Sequence, residues 1–354
     1  MKIASVVGAR PQFIKAAPLD RELRRLSTHV LIHTGQHYDY SMSSIFFEEL
    51  HIPEPDYNLG VGSASHGRQT GEMLIRIEET LQRERPHCVL VYGDTNSTLA
   101  GALAAAKLHL PVAHVEAGLR SFDRRMPEEI NRVVTDHLAD LLFCPTEAAR
   151  SNLSREGIAR GVFNFGDVMY DALLQSREVL DGHSSFLASL GLRPREYLLV
   201  TIHRPANTDD QENLSNILDA LGEVQEQIVF PAHPRTSQAI SLLGYYLPSN
   251  VQLLEPVSYV SMLLLERESR LILTDSGGVQ KEAYLLGVPC ITLRQETEWV
   301  ETVESGWNLL VGASKADILR GVQHFHPEGE RPPVFGDGQA SEKMARQVQL
   351  VFGS

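Results

Sequence analysis

Short, almost wholly apolar runs alternate along this chain with longer stretches in which apolar residues return every third or fourth position. The runs at 2–7, 29–34, 87–92, 111–115, 140–144 and 162–165 predict strands, and the stretches between them predict helices. Helices are expected from the turn after Gly8 to about Leu26, at 41–50, 67–83 and 97–108, from Pro127 onward, and at 146–157. The 67–83 segment puts Met73, Leu74, Ile77 and Leu81 on one face, a stripe that reads as core. Pro127 at a first helical position, with Glu128 and Glu129 in the first turn, is a clear helix start. The segment 53–65, rich in Pro, Gly and Ser, predicts a long loop.

From 182 to 196 the composition turns to Gly, Ser, Pro and Arg, and a second alternating series follows. It predicts strands at 197–201, 227–230, 251–254, 271–273 and 288–293, with helices at 213–221, 258–265 and 279–286, the last ended by Gly287. The chain therefore reads as α/β, with two Rossmann-like, doubly wound domains at 1–168 and 169–336. A proline- and glycine-rich loop at 326–338 leads into a helix at 339–351, with Met344, Val348 and Val351 as its apolar stripe. This 337–354 segment is expected to pack back on the first domain.

A length of 354 residues suffices for two sizeable cores. The net charge of −13 argues against nucleic acid and an anionic membrane surface, without excluding a basic pocket. No apolar stretch approaches transmembrane length, and the opening eight residues are too short for a signal peptide. Cys88, Cys144 and Cys290 each lie in or beside an apolar run, with no metal-ligand spacing, and read as buried, reduced thiols. Together these features predict a cytoplasmic protein with no nucleic-acid or membrane partner.

The candidate chemistry collects where strands end. The 271–273 strand turns through Asp275, Ser276, Gly277 and Gly278 into a helix. Backbone N–H groups and the helix dipole favour a phosphate there, and the glycines let the chain approach a diphosphate closely. Glu282, on the second helical turn, is placed to accept hydrogen bonds from ribose hydroxyls. The same residues would equally serve as an N-cap and a tight turn. The first strand ends in Gly8 and Arg10, with Lys15 on the following helix; there is no GxGxxG, so NAD is not indicated. Two successive strands end in Asp94 and Glu116, and with Glu128 three carboxylates can converge on one crevice. Clustered acids suit proton transfer, although glutamates favour helix starts in any case. In the second series the strand ends carry His203-Arg204, His233-Pro234-Arg235 and Arg294. With Arg10 and Lys15 they supply cations for a diphosphate inside an acidic protein.

In order and spacing these pieces resemble the non-hydrolysing UDP-N-acetylglucosamine 2-epimerases. The resemblance covers nearly the whole chain and rests on 8–15, 93–95, 114–120, 127–132, His203-Arg204, 275–280 with Glu282, and 336–338. It implies the glycosyltransferase-B architecture, in which two Rossmann-like domains face across a cleft and a C-terminal helix crosses back. It also implies no redox cofactor, no metal, a UDP-sugar substrate over which the domains close, and a homodimer. The implied reaction removes the C2 proton while UDP leaves C1 by anti elimination, giving a 2-acetamidoglucal; UDP then re-adds with a proton on the opposite face. By this resemblance Asp94, Glu116, Glu128 and His203 are the catalytic candidates, with the forward base left open. Arg10, Lys15, Ser276, Gly277, Gly278 and Glu282 are the binding candidates, and the strand-end residues Arg204, His233 and Arg294 join them.

The chain also departs from the pattern. Ala206 stands where many members of the family carry Glu in His-Arg-x-Glu-Asn, Tyr38-Asp39 follows Gln36-His37 where an allosterically activated group has Arg, and Trp299-Val300 replaces Arg-Pro. The 8–13 and Trp299 segments look closer to relatives acting on 2,3-diacetamido glucuronic acid nucleotides. Such a substrate would need a cation for its C6 carboxylate, for which Arg124, Arg204 and Arg294 are candidates. A hydrolysing relative that releases N-acetylmannosamine, a glycosyltransferase and a nucleotide-sugar sensor complete the alternatives.

Overall fold

A computed structural model describes residues 1–36, 54–176, 180 and 184–353, apart from the side chains of Arg10 and Ser184. The helix expected at 41–50 and the turn at 37–39 lie outside these residues. The chain divides into two compact units, 1–175 with 333–354, and 176–332. No helix among the described residues is long and apolar enough to cross a membrane.

The first unit runs β1 (Lys2–Val7), α1 (Arg10–Leu26), β2 (Thr28–His33), β3 (Tyr57–Asn58), α2 (His66–Glu84), β4 (Cys88–Tyr92), α3 (Asn96–Lys107), β5 (Val112–Val115), α4 (Pro127–Leu138), β6 (Leu141–Cys144), α5 (Glu147–Arg155), β7 (Val162–Asn164) and α6 (Val168–Gln175). Its strands form a parallel sheet in the order β3-β2-β1-β4-β5-β6-β7. The short edge strand β3 falls inside the segment read as loop, where two residues are too few to show a period.

The second unit runs α7 (Ser184–Ser189), β8 (Tyr197–Thr201), α8 (Pro205–Thr208), α9 (Gln211–Glu223), β9 (Gln227–Pro231), α10 (Pro234–Leu242), β10 (Val251–Leu254), α11 (Tyr259–Glu268), β11 (Leu271–Thr274), α12 (Gly277–Leu286), β12 (Cys290–Thr292), α13 (Val300–Glu304), β13 (Asn308–Leu310) and α14 (Lys315–His324). Its parallel sheet has the order β10-β9-β8-β11-β12-β13. Both units are thus doubly wound α/β folds. Neighbouring strands β1 and β4 in one, and β8 and β11 in the other, mark the point where the winding reverses and ligands of such sheets bind.

Local chemistry explains the helix starts. Thr95, Thr146, Asp210, Ser258, Ser276 and Ser314 each offer a side-chain oxygen to a first-turn N–H. Gly287 closes α12 in the left-handed conformation expected of it. The alanine-rich α3 lies close on its sheet, and a Cβ at Gly101 would come within 3.0 Å of Val91. The Met73, Ile77 and Leu81 stripe packs beneath it, while Leu74 is only partly buried.

The chain returns to the first unit through α15 (Ala340–Phe352). Met344, Ala345 and Val348 of α15 join Phe13, Leu19, Leu23 and Val168 in one apolar cluster. Val351, expected in that stripe, is 41% exposed, because Phe352, one turn after Val348, takes the position against the cluster. The division at 175/176 and 332/333 differs from the 168/169 and 336/337 read from composition, because α6 packs on α1 and α15.

Asp171 on α6 ties down the start of α15, accepting from the N–H groups of Ala340 (3.2 Å) and Ser341 (2.7 Å). Gly166 sits at φ +90°, and a Cβ there would meet Phe335 O at 2.6 Å and Gly336 Cα at 2.9 Å. Neither backbone atom can rotate away. Gly166→Ala is therefore expected to destabilise the protein by at least about 1–2 kcal/mol from the left-handed backbone alone. A urea melt with an unshifted midpoint would refute this.

Candidate active site

The first unit gathers its chemistry around Gly93, at the carboxyl end of β4. Gly93 lies at φ +63°, and a Cβ there would stand 3.1 Å from Lys15 Nζ and 3.3 Å from Glu116 Oε2. Lys15 and Glu116 are themselves ion-paired, both nearly buried. Glu116 follows β5 with φ +72°, a left-handed conformation that is unusual for a residue with a Cβ and frequent at functional sites. Asp94, next to Gly93, receives Arg132 Nη2 at 2.6 Å and Nε at 3.0 Å. Asp94, Glu116 and Lys15 therefore stand together.

The motif on α4 also fastens the turn that precedes the helix. Glu129 is the buried member of the glutamate pair. Its carboxylate accepts from Ser121 N (2.9 Å), Phe122 N (3.0 Å) and Arg132 Nη1 (2.9 Å). Burial raises its pKa, but these donors more than offset it and hold the carboxyl below its ordinary value. Asn131 Nδ2 donates to the Asp94 carbonyl at 2.9 Å. Glu128 is half-buried on the same helical turn.

Gln12 fastens the two turns at the winding reversal. Its Oε1 accepts from Gly8 N (2.8 Å) and Ala9 N (3.0 Å), and its Nε2 donates to Tyr92 O at 2.7 Å. A side chain at Gly8 would collide with Ser97 and Thr34, so the close approach of these turns requires glycine. Arg10 begins α1 between them.

In the second unit Asp275 plays the fastening part. Fully buried, it accepts from His203 N (3.0 Å), Arg204 N (3.0 Å) and Asn207 Nδ2 (3.0 Å). Asn207 also donates to Leu293 O at 3.1 Å, so the ends of β8, β11 and β12 are tied together. His203 Nδ1 lies 3.3 Å from Asp275 Oδ1. Desolvation sets the His203 pKa below its ordinary value; Asp275 opposes this, while Arg204, His233 and Arg294 reinforce it. Arg204, His233 and Arg294 therefore lie near His203. His233 caps α10, its Nδ1 accepting from Arg235 N at 3.2 Å.

Ser276 caps α12, and Gly277 and Gly278 open it two residues earlier than the apolar pattern placed the helix, because glycine carries no period. Their N–H groups stand where a helix has no internal acceptors. The loop after β12 lies over this start. A side chain at Gly277 would meet the Glu298 carboxylate, which is ion-paired with Arg294 at 3.0 Å. Lys281 Nζ sits 4.3 Å from the centroid of the Trp299 ring. Gln280 accepts from Thr297 Oγ1 at 2.6 Å and fixes the loop from below. Glu282 is buried on α12 near Glu266, whose carboxyl is raised far above the carboxylate range by burial and then by the Glu282 charge.

Gln12, Glu129, Asn131, Arg132, Asn207 and Gln280 all position these groups, yet sequence reasoning assigned none of them a role. The Glu129–Arg132 spacing of one helical turn was the available signal.

Comparison with known proteins gives a consistent picture. A family model described as UDP-N-acetylglucosamine 2-epimerase matches residues 21–349. A UDP-N-acetylglucosamine 2-epimerase homolog of Methanococcus maripaludis is 55% identical over 99% of both chains. The UDP-2,3-diacetamido-2,3-dideoxy-D-glucuronate 2-epimerase of Pseudomonas aeruginosa is 48% identical over 98% of this chain and 99% of its own. The crystal structure of Methanocaldococcus jannaschii UDP-GlcNAc 2-epimerase in complex with UDP-GlcNAc and UDP superposes with a TM-score of 0.93 at 45% identity, covering 99% of this chain and 100% of that one.

Proposed function

The chain belongs to the UDP-N-acetylglucosamine 2-epimerase family, and we propose that it interconverts UDP-N-acetylglucosamine and UDP-N-acetylmannosamine by elimination and re-addition of UDP. The observation that carries this reading is the pair of carboxylates at Gly93, Asp94 and Glu116, each held by a cation. One such group takes the C2 proton while the C1–oxygen bond to the diphosphate breaks. The electrons of the C2–H bond become the C1=C2 double bond of a 2-acetamidoglucal. In the return step a proton reaches the opposite face of C2 and a diphosphate oxygen re-forms the bond to C1. Glu128 is the third candidate acid or base.

The nucleotide belongs to the second unit in this reading. The α12 start receives the diphosphate, with Arg204 and Arg294 offsetting its charge and His203 and His233 offering hydrogen bonds as UDP leaves. Glu282 takes the ribose, and Arg10 and Lys15 remain the binding candidates of the first unit.

Proton NMR of the protein with UDP-N-acetylglucosamine in D2O, without added metal or NAD, tests this directly. UDP-N-acetylmannosamine carrying deuterium at C2 is the expected product. Free N-acetylmannosamine with UDP would instead indicate hydrolysis. No reaction by folded, UDP-binding protein would exclude UDP-N-acetylglucosamine as substrate.

One observation favours a second substrate, the 2,3-diacetamido glucuronate nucleotide. Among the described residues Arg294 Nη1 and Arg204 Nε are buried without a hydrogen-bond partner, and a C6 carboxylate is an acceptor of the right charge. The same NMR assay with that sugar separates the two readings.

A further inference from the structure

A fully buried histidine lies directly behind the carboxylates. His114, on β5, has its Nε2 2.7 Å from the backbone oxygen of Gly93 and its Nδ1 2.7 Å from Asp136 Oδ1. Asp136 Oδ2 in turn accepts from Gly118 N (3.1 Å) and Arg120 Nη1 (2.7 Å). Arg120 makes two further 2.7 Å bonds to the Glu156 carboxylate.

Counting donors fixes the protons. A backbone carbonyl only accepts, so Nε2 carries a hydrogen. Asp136 faces an imidazole nitrogen, an amide N–H and a guanidinium, so it is a carboxylate and Nδ1 carries a hydrogen as well. A neutral imidazole has only one N–H. We propose that His114 is a doubly protonated positioning residue, whose imidazolium clasps the Gly93 carbonyl and, through Asp136 and Gly118, fixes the turns that carry Asp94 and Glu116.

The surrounding charges support this assignment. His114 and Arg120 balance Asp136 and Glu156, so the buried cation is compensated. Burial pushes Asp136 up, but His114 and Arg120 more than offset that and leave it below the usual carboxylate range. The other ionisable group facing Asp136 is the Cys144 thiol on β6, raised by burial and by Asp136 itself. Gly118, at φ +81°, has no room for a side chain against the carbonyl of Ala149, so its N–H stays aimed at Asp136.

The protonation state stands apart from the enzymatic reading; only its effect on turnover rests on that reading. Long-range proton–nitrogen correlation spectra of the 15N-labelled full-length protein, assigned through bonds, read the state directly. Both His114 nitrogens are expected to show protonated-type shifts, as two acceptors on opposite sides of the ring require. A pyridine-type nitrogen at neutral pH would overturn the proposal.

His114→Gln offers a single donor nitrogen and cannot span Asp136 and Gly93. Its kcat is expected to fall at least about tenfold, with KM for the UDP-sugar within about threefold, as for loss of an alignment made at the reacting groups. A lower melting temperature with kcat per folded molecule unchanged would reduce His114 to a packing element. If that variant does not fold, Arg120→Lys, which keeps a charge by Asp136 but loses the fork to Glu156, reads the same quantities with the same meaning. Wild-type protein inert toward both UDP-sugars would sink the epimerase reading and leave the spectrum to judge His114.

Discussion

Glu116→Gln is expected to lower kcat by about 10²–10⁴-fold, the range lost when a general acid or base is removed. Glutamine keeps the shape of the side chain and adds no new burden to the backbone at φ +72°. What disappears is the capacity to hold a proton, along with the charge that faces Lys15. KM should move less, because the candidate diphosphate and ribose groups on α12 lie on the other unit. Two measurements settle the cause: turnover, and exchange of the substrate C2 hydrogen with D2O. Parallel loss of both places Glu116 in proton transfer. If Glu116 only neutralises Lys15, the double variant Lys15→Met with Glu116→Gln regains most of the activity, and the assignment fails.

The largest effect on stability is expected at Asp275→Ala. The substitution leaves the Asn207 amide and two backbone N–H groups without their acceptor, in a position with no solvent access at the carboxylate. Removing one partner from such a buried charged cluster costs about 3–5 kcal/mol. Both tryptophans, Trp299 and Trp307, lie in the second unit, so indole fluorescence during a urea melt follows that unit specifically. A thermal midpoint lower by about 10 °C is the corresponding shift for a unit of this size. A loss below about 1 kcal/mol would mean that water replaces the carboxylate, and that Asp275 does not hold the His203 turn.

Much of this architecture is legible in the residue pattern because parallel strands buried on both faces are nearly uninterrupted apolar runs. Strands such as 88–92 and 271–274 could hardly be misread. Elements too short to complete two periods escape: β13 and α13 contain three and five residues, and β3 completes one with two. In the site, Asp94, Glu116 and Ser276 were visible because they follow strands. Which of two adjacent glutamates turns inward was not, since a shift of one residue rotates a side chain by about 100° around a helix. Glu129 went in, drawn by Ser121, Phe122 and Arg132. The Lys15–Glu116 pair joins residues far apart in sequence and has no local signature. His233 also caps the helix that Pro234 begins, a local role that the proline marks in the sequence.

The return of α15 to the first unit sets an order of assembly. The ribosome makes α1 long before α15, so the apolar face of α1 waits for Met344 and Val348 to cover it. At about 5–20 residues per second, residues 176–332 take about 8–30 s to emerge in between. By the end of that interval the second unit has its whole sheet, while the first still carries an open hydrophobic flank. The part of the chain that is born first is therefore the last to mature, and its exposed flank is where a nascent-chain chaperone would find a foothold.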